Sequence, residues 1–302
     1  MKARFSGWRA ALARREGVIG INRRNVELVY AHNPRAHYPL ADDKLLTKQH
    51  LAAAGVSAPE TLGTCDELGA LPAFLETLTR HDSFVLKPAR SSGGKGLLVV
   101  QERLGAERWR RAGGAEVTLD ELRRHAANII FGTFSKDRPD VAFAEERIVP
   151  HPFFALLWGD GLCDVRVITL TGTPIMAMIR LPTRRAGGRA NLHQGGIGLA
   201  VDLASGRTQR AWYRRGTVEH HPETGVALLG LEVPSWPAIV ATARATAAEV
   251  PLGYLGVDLV VDQEGRALVL EINARPGLEI QNVTGHGLAA LVDAQLARST
   301  AP

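Results

Sequence analysis

Cysteine is scarce in this sequence: Cys65 and Cys163 are the only two among 302 residues. Two thiols build neither a disulfide framework nor a thiolate metal site, and a reducing cytoplasm is the expected compartment. Aromatic residues are also few, at 6%. None interleaves with basic residues in a nucleic-acid-binding pattern, so DNA and RNA are not expected partners. Long apolar runs are missing as well. No stretch approaches the roughly 20 apolar residues of a membrane span, and the first residues lack the apolar core of a secretory signal.

The remaining composition, 45% hydrophobic and 22% charged, is that of a globular chain with a substantial core and two or three subdomains. The charge is unevenly placed. Residues 1–40 hold eight basic side chains (Lys2, Arg4, Arg9, Arg14, Arg15, Arg23, Arg24, Arg35) against Glu16 and Glu27, a surplus of six where the whole chain carries +5. A basic arm of this kind recruits an acidic partner or simply forms a solvated helix face.

The stretch that organises the chain is GVDLVVDQEGRALVLEINARPGL, residues 256–278. It reads as a β-hairpin turning at Gln263-Glu264-Gly265. Strict alternation sends Leu268, Leu270 and Ile272 to one face and Val269, Glu271 and Asn273 to the other. With Asp258 in pairing reach, two carboxylates and an amide oxygen converge, a donor set suited to Mg²⁺. The alternative is a sheet edge with solvated acids.

In chain order, Trp8–Ala13 reads as helical, and Asp42 or Asp43 caps a helix that Gly55 closes. A second helix is expected from Leu71 to Thr79. Strands at 84–88 and 97–100 flank the loop Ser91-Ser92-Gly93-Gly94-Lys95-Gly96, whose turning amides, hydroxyls and ammonium suit polyphosphate. It is not a P-loop, since glycine follows Lys95 and a strand comes next. Lys87, inside the incoming apolar strand, calls for an anionic partner. A helix over 118–131 precedes a strand at 141–149, where Glu145 and Glu146 either contact adenine or ribose or sit at a solvated strand end. A hairpin of 164–170 with 174–181 places Asp164, Arg166 and Ile168 on one side and lets Arg166 and Arg180 face one cleft. Arg184 and Arg185 read as surface residues, and His193 as a hydrogen-bonding loop residue. Ser235 is expected to cap a core helix, and Gly285–Leu296 to form the last one.

These pieces in this order resemble the ATP-grasp superfamily, and within it the RimK-like α-L-glutamate ligases. The resemblance rests on DDKLLTKQHLAAAGVSAPET at 42–61, FVLKPARSSGGKGLLVV at 84–100, EERI at 145–148, DVRV at 164–167, Arg180, RANLHQGG at 189–196, GVDLVV at 256–261 and EINARPGL at 271–278. It implies an α/β (α+β) ATP-grasp fold, two subdomains clamping ATP. The expected division is a shortened basic N-terminal region at 1–57, a lid subdomain at 58–146 and a C-terminal catalytic subdomain at 147–302.

The resemblance also implies roles. Lys87, with Ser91, Ser92, Gly93, Gly94 and Lys95, would hold ATP phosphates. Glu145, Glu146, Arg147 and Ile148 would form the adenine and ribose hinge, with Asp164 and Leu270 among the nucleotide contacts. Asp258, Glu271 and Asn273 would bind two Mg²⁺ ions, Mn²⁺ being able to replace them. Arg166, Arg180, Arg189 and Asn191 would stabilise the transferring phosphate, and Arg275 would hold a substrate carboxylate. The activity implied is ADP-forming ligation of a carboxylate to an amine through an acyl phosphate, with glutamate or another acidic amino acid as one substrate. A nucleotide-binding regulator and an ATP-dependent phosphotransferase are the alternatives. Small amino acid or peptide substrates and a homo-oligomer, expected from the shortened N-terminal region, complete the expectations.

Overall fold

A computed structural model describes residues 17–91, 93–159 and 161–299. Lys2, Arg4, Arg9, Arg14, Arg15, Glu16, the expected helix at 8–13 and Ser92 lie outside the described residues. The chain divides into two compact units. One takes Asp42–Ala53 and Ser57–Val149; the other takes the described residues up to Ala41, Ala54–Val56 and those from Pro150 onward. The N-terminal region expected at 1–57 is thus shared between the two.

The first unit is a six-stranded antiparallel sheet in the order β1-β6-β2-β3-β4-β5. Its strands are β1 (Thr61–Cys65), β2 (Phe84–Pro88), β3 (Leu98–Gly105), β4 (Arg108–Arg111), β5 (Glu116–Thr118) and β6 (Ala142–Glu145). The helices Leu71–Leu78 and Leu119–Ile130 bury Phe74, Leu75, Leu78, Leu122, Ala126 and Ile129 with Phe84, Leu86 and Trp109 in one core. Apolar residues at helical spacing make that face, and the Thr118/Glu121 capping box starts the second helix by satisfying its first amides. The helix Lys44–Ala53 opens as expected, with Asp43 Oδ1 accepting from the Leu45 and Leu46 amides at 3.0 and 3.2 Å. Strand β6 is shorter than the sequence suggests, because the Glu146 amide leaves the sheet to bond the Glu60 carbonyl.

The second unit is a seven-stranded antiparallel sheet, β11-β10-β9-β8-β7-β12-β13. Its strands are β7 (Asp164–Leu170), β8 (Thr173–Leu181), β9 (Ile197–Val201), β10 (Thr208–Tyr213), β11 (Gly216–Val218), β12 (Tyr254–Val261) and β13 (Ala267–Asn273). The β7–β8 turn places Thr171 and Gly172 at φ 47° and 78°, the pair of positive values a tight antiparallel hairpin favours. Ile168, Leu170, Met176, Met178 and Tyr254 form a core with Leu28 and Val29 from a π-helical turn, Arg24–Tyr30. Asn33 fastens this N-terminal segment. Its side chain donates to the Tyr254 and Ala274 carbonyls and accepts from the Tyr254 amide, each at 2.8 Å.

Three local expectations change. Ser235 does not cap the helix Trp236–Glu249: its backbone is left-handed at φ 55° and its side chain makes no cap, and Pro237 in the first turn has no N–H to offer. The last helix runs over Ala289–Ser299 rather than from Gly285, because Gly285 turns left-handed at φ 75° and ends a preceding helix, Glu279–Thr284, that was not expected. The alternation expected along β13 breaks at Leu270. Asp258 pairs with Glu271 but Leu259 pairs with Val269, so Leu270 is the extra residue of a bulge. It is half-buried beside Glu271, whereas Leu268 and Ile272 are buried.

Candidate functional site

Each unit carries a buried polar cluster. In the first unit, antiparallel pairing of β2 with β6 sets Lys87 opposite Phe143 and brings its ammonium to Glu145 Oε1. Lys48, one turn into the helix Lys44–Ala53, reaches Glu145 Oε2 at 2.6 Å. Both ammoniums lie over the Phe143 ring, 5.9 and 5.2 Å from its centroid. Burial presses to raise the Glu145 pKa, but Lys87 and Lys48 overrule it and hold the carboxyl below its usual range. Burial likewise lowers Lys48, against the pull of Glu145. Of the two readings of Glu145, this geometry discards the solvated strand end.

Beyond β2, the glycine-rich loop is fixed at both stems. Ser91 Oγ donates to the Lys95 carbonyl at 2.9 Å, and Lys44 Nζ donates to the Ser91 carbonyl. Arg90 Nε meets Asp43 Oδ2 at 3.0 Å, and its amide donates to the Asp140 carboxylate at 3.1 Å. Gly93, Gly94 and Gly96 hold φ of 67°, 72° and 73°, and a Cβ on Gly96 would come within 2.6 Å of the Phe134 ring. His125 Nε2 meets the Gly96 carbonyl at 2.8 Å; as a donor to that oxygen, it fixes the tautomer. Lys95 itself is exposed. Just after β6, Glu146 accepts from the Glu60 amide at 2.9 Å, while Arg147 and Ile148 are half-buried.

In the second unit, three adjacent strands line up one residue each. Arg166 on β7 pairs with Asp258 on β12, which pairs with Glu271 on β13, and Asp164 on β7 pairs with Arg180 on β8. Arg166 grips Asp258 through Nε and Nη2 at 2.6 and 2.5 Å. Arg180 grips Asp164 at 2.5 and 2.8 Å and reaches Asp258 Oδ2 at 2.7 Å. Asn273 Nδ2 stands 3.4 Å from the same oxygen. Arg166 and Arg180, expected to face one cleft, both contact Asp258.

Burial raises the Asp258 carboxyl, but Arg166 and Arg180 outweigh it and hold the group below the usual carboxylate range. Burial lifts Asp164 to about 6; Arg180 pulls against that lift and the Asp258 charge adds to it. Arg180 stays firmly protonated, since Asp164 and Asp258 overcome its burial. The buried Cys163 thiol is pushed well above its ordinary value by burial and is inert as a nucleophile.

Arg189 and Asn191 belong to the loop before β9. Arg189 is exposed, and Asn191 Oδ1 accepts from the His193 amide at 3.0 Å as the cap of a short 3₁₀ turn. Arg275 is exposed, its guanidinium 4.8 Å from the centre of the Tyr38 ring. Leu270 borders the acidic cluster through the bulge. Sequence reasoning missed Lys48, Asn33 and Tyr38. A lysine at a helix position otherwise turned to the core, here within TKQHL, is the signal for the first; the others show no pattern.

Among the described residues no three His, Cys, Asp or Glu side chains gather as a metal site. The acidic cluster instead pairs two carboxylates with a carboxamide, all hard oxygen donors. No helix of the described residues is long and apolar enough to cross a membrane.

The pattern described as sugar-transfer associated ATP-grasp matches residues 23–295. The chain belongs to this family. The sugar-transfer associated ATP-grasp pattern covers both sheets and both polar clusters. A protein of Sodalis glossinidius described as "Probable alpha-L-glutamate ligase" is 27% identical over 252 residues, 83% of this chain. The chain spans 62% of the length of that relative. The biotin carboxylase of Campylobacter jejuni, solved as a β-γ-ATP complex, superposes with a TM-score of 0.50 at 17% identity, covering 81% of this chain and 42% of its own. It shares the ATP-grasp fold. A RimK domain ATP-grasp protein of Sphaerobacter thermophilus is 16% identical with a TM-score of 0.45, over 84% of this chain and 69% of its own.

Proposed function

We propose that the protein is an ATP-dependent, ADP-forming ligase that joins a carboxylate to an amine, with an acidic amino acid as one substrate. The observation that carries this reading is Asp258, buried and gripped by two arginines beside Glu271 and Asn273. Asp164 and Asp258 are matched by the two guanidiniums, and the half-buried Glu271 beside Asp258 adds a third carboxylate, an excess that suits a cation. Glu271 and the Oδ1 of Asn273 fit a hard divalent ion. Asp258 fits on condition that the ion takes the place of one guanidinium there, an exchange of positive for positive charge. Mg²⁺ bound by these residues would supply neutralisation of the ATP β- and γ-phosphates.

The rest is the work of the chain's own side chains. Lys87 and Lys48, two ammoniums sharing one carboxylate, present a net positive charge to phosphate oxygens. The amides of Gly93, Gly94 and Gly96 offer a turning row of donors to the same anion. Arg180 and Arg166, held rigid by Asp164 and Asp258, stabilise charge on the transferring phosphoryl group without reorganising. The substrate carboxylate oxygen bonds to the γ-phosphorus as the bond to ADP breaks. The amine nitrogen then bonds to the acyl carbon, phosphate departs with the C–O electrons, and the amine proton passes to solvent.

The test is ATP turnover with Mg²⁺ against pools of amino acids, read by product mass, with Glu271→Ala as control. ADP release with a product one water lighter than two pool members combined supports the reading. A product heavier by one phosphoryl group, or full turnover by Glu271→Ala, overturns it.

A further inference from the structure

Within the second unit, the π-helical turn and the end of β13 enclose a cavity of about 450 Å³ lined by Arg24, Asn25, Tyr30, Arg35, Tyr38 and Arg275. Three guanidiniums around one space, with no carboxylate in the wall, make it strongly electropositive. A π-helical turn is locally unfavourable and recurs where a side chain must be aimed. Here Leu28 is buried in the core, buried Val29 borders the cavity, and Arg24, Asn25 and Tyr30 also reach it.

The wall is built rather than loose. Arg24 Nη1 donates to the Pro276 carbonyl at 3.1 Å and to the Arg275 carbonyl at 3.4 Å, and Asn25 Oδ1 accepts from Arg24 Nη2 at 2.7 Å. The Arg275 guanidinium is stacked on Tyr38. The Tyr38 hydroxyl is buried with no hydrogen-bond partner, and so is that of Tyr254. A buried hydroxyl without a partner costs stability and is retained where a ligand completes it. Arg275, in the wall, stands two residues beyond Asn273 at the end of β13.

We infer that this cavity binds the anionic end of the substrate, a carboxylate or phosphate monoester distinct from the group that reacts, with Arg24, Arg35 and Arg275 as its counter-charges. This rests on the ligase reading for its place in a reaction, but not for its existence as a site. The volume exceeds what a single small carboxylate fills, and two tyrosines offer flat apolar surface to a ring-bearing body. The ligand is therefore a polyanionic or acidic-sugar-sized molecule rather than a lone inorganic ion.

The test is calorimetric titration of the full chain, without nucleotide or metal, with D-glucuronate, glucose 6-phosphate and L-glutamate, against glucose and L-glutamine as counterparts of no net charge, glutamine lacking only the side-chain carboxylate. At least one anion is expected to bind about tenfold or more tightly than its neutral partner. Preference for glucuronate or glutamate assigns the site to carboxylates, and preference for glucose 6-phosphate assigns it to phosphate. Arg35→Gln and Arg275→Gln should each weaken that binding by about tenfold, Arg275→Lys less, with the ATP dissociation constant and melting temperature unchanged. Equal binding of charged and neutral probes, absence of binding by all of them, or full affinity in both glutamine variants overturns the inference. The two readings fail separately. Anion-selective binding without ADP release in any pool sinks the ligase and leaves the site. ADP release that is indifferent to Arg35→Gln and Arg275→Gln sinks the site and leaves the ligase.

Discussion

Replacing Glu145 by glutamine should damage the first unit far more than removing either lysine that contacts it. In the native cluster one buried carboxylate serves two buried ammoniums, at 2.6 Å from Lys48 and in direct contact with Lys87. Glu145→Gln leaves both ammoniums facing a neutral amide in a site from which water is excluded. Breaking a buried pair by removing one partner costs about 3 kcal/mol or more, equivalent to a fall of roughly 10 °C in the transition of a unit this size. Lys48→Met leaves the balanced Glu145–Lys87 pair and removes the ammonium whose pKa burial already lowers, so its change should stay within about 1 kcal/mol. The double variant should recover about 1 kcal/mol of the Glu145→Gln loss. The sign of the pH dependence follows. In Glu145→Gln the folded state holds its lysine protons less tightly than the unfolded chain does, so the folded state gains as pH rises toward the ordinary lysine value near 10.4. Urea denaturation followed by circular dichroism, repeated from pH 7 to 9.5, measures each term. If Glu145→Gln loses no more than Lys48→Met, or if its deficit grows with pH, the charge argument is wrong.

Three further outcomes are expected. Arg180→Met takes the bidentate partner from buried Asp164 and should destabilise the second unit by about 3 kcal/mol, while adding Asp164→Asn should return much of it; denaturation midpoints decide. Acidification should loosen the glycine-rich loop: burial depresses His125, so the neutral ring contributes stability that is lost as pH falls through and below the ordinary histidine value of about 6.5. Faster amide exchange at 93–97 on acidification, beyond the change in His125→Gln, is the readout, and identical pH profiles would refute it. Gly96→Ala combines a positive φ with a 2.6 Å approach to Phe134, and should weaken ATP binding by about tenfold or more without unfolding the sheet, as equilibrium dialysis would report.

The parts of the fold that the sequence made legible are those where one local rule dominates. Asp43 announces the helix after it, and apolar alternation marks β2, β7, β8 and β12. The charged residues lodged inside those strands announce the cluster, because Arg166, Asp258 and Glu271 in apolar runs must find one another. Strands β4, β5, β10 and β11 escaped notice at the sheet margins, where exposed polar residues blur the period of two; β1 and the wholly buried β9 escaped it too, β9 being a short run with no alternation to read. The bulge at Leu270 was hidden for another reason. An extra residue in one strand alters register with its partner, and a single strand's pattern does not record its partner. Asn33 was invisible as a ligand of distant backbone, since nothing near it in sequence reveals what it meets, and the core-turned position of Lys48 signals a partner without naming Glu145.

The two polar clusters are off balance in opposite senses, and that asymmetry bears on function more than either set of contacts alone. The first unit buries two ammoniums on one carboxylate, and the second pairs two buried carboxylates with two guanidiniums and sets the half-buried Glu271 beside Asp258 as a third. A cluster built only for stability would close its charge, because each unpaired buried charge costs several kcal/mol. An anion such as a polyphosphate completes the first, and a divalent cation completes the second. Each ligand should therefore stabilise the unit it completes by mass action, and raising Mg²⁺ without nucleotide should raise only the transition of the second unit. Equal stabilisation of both by Mg²⁺ alone would mean that the excess charges are met within the chain and that the clusters are structural.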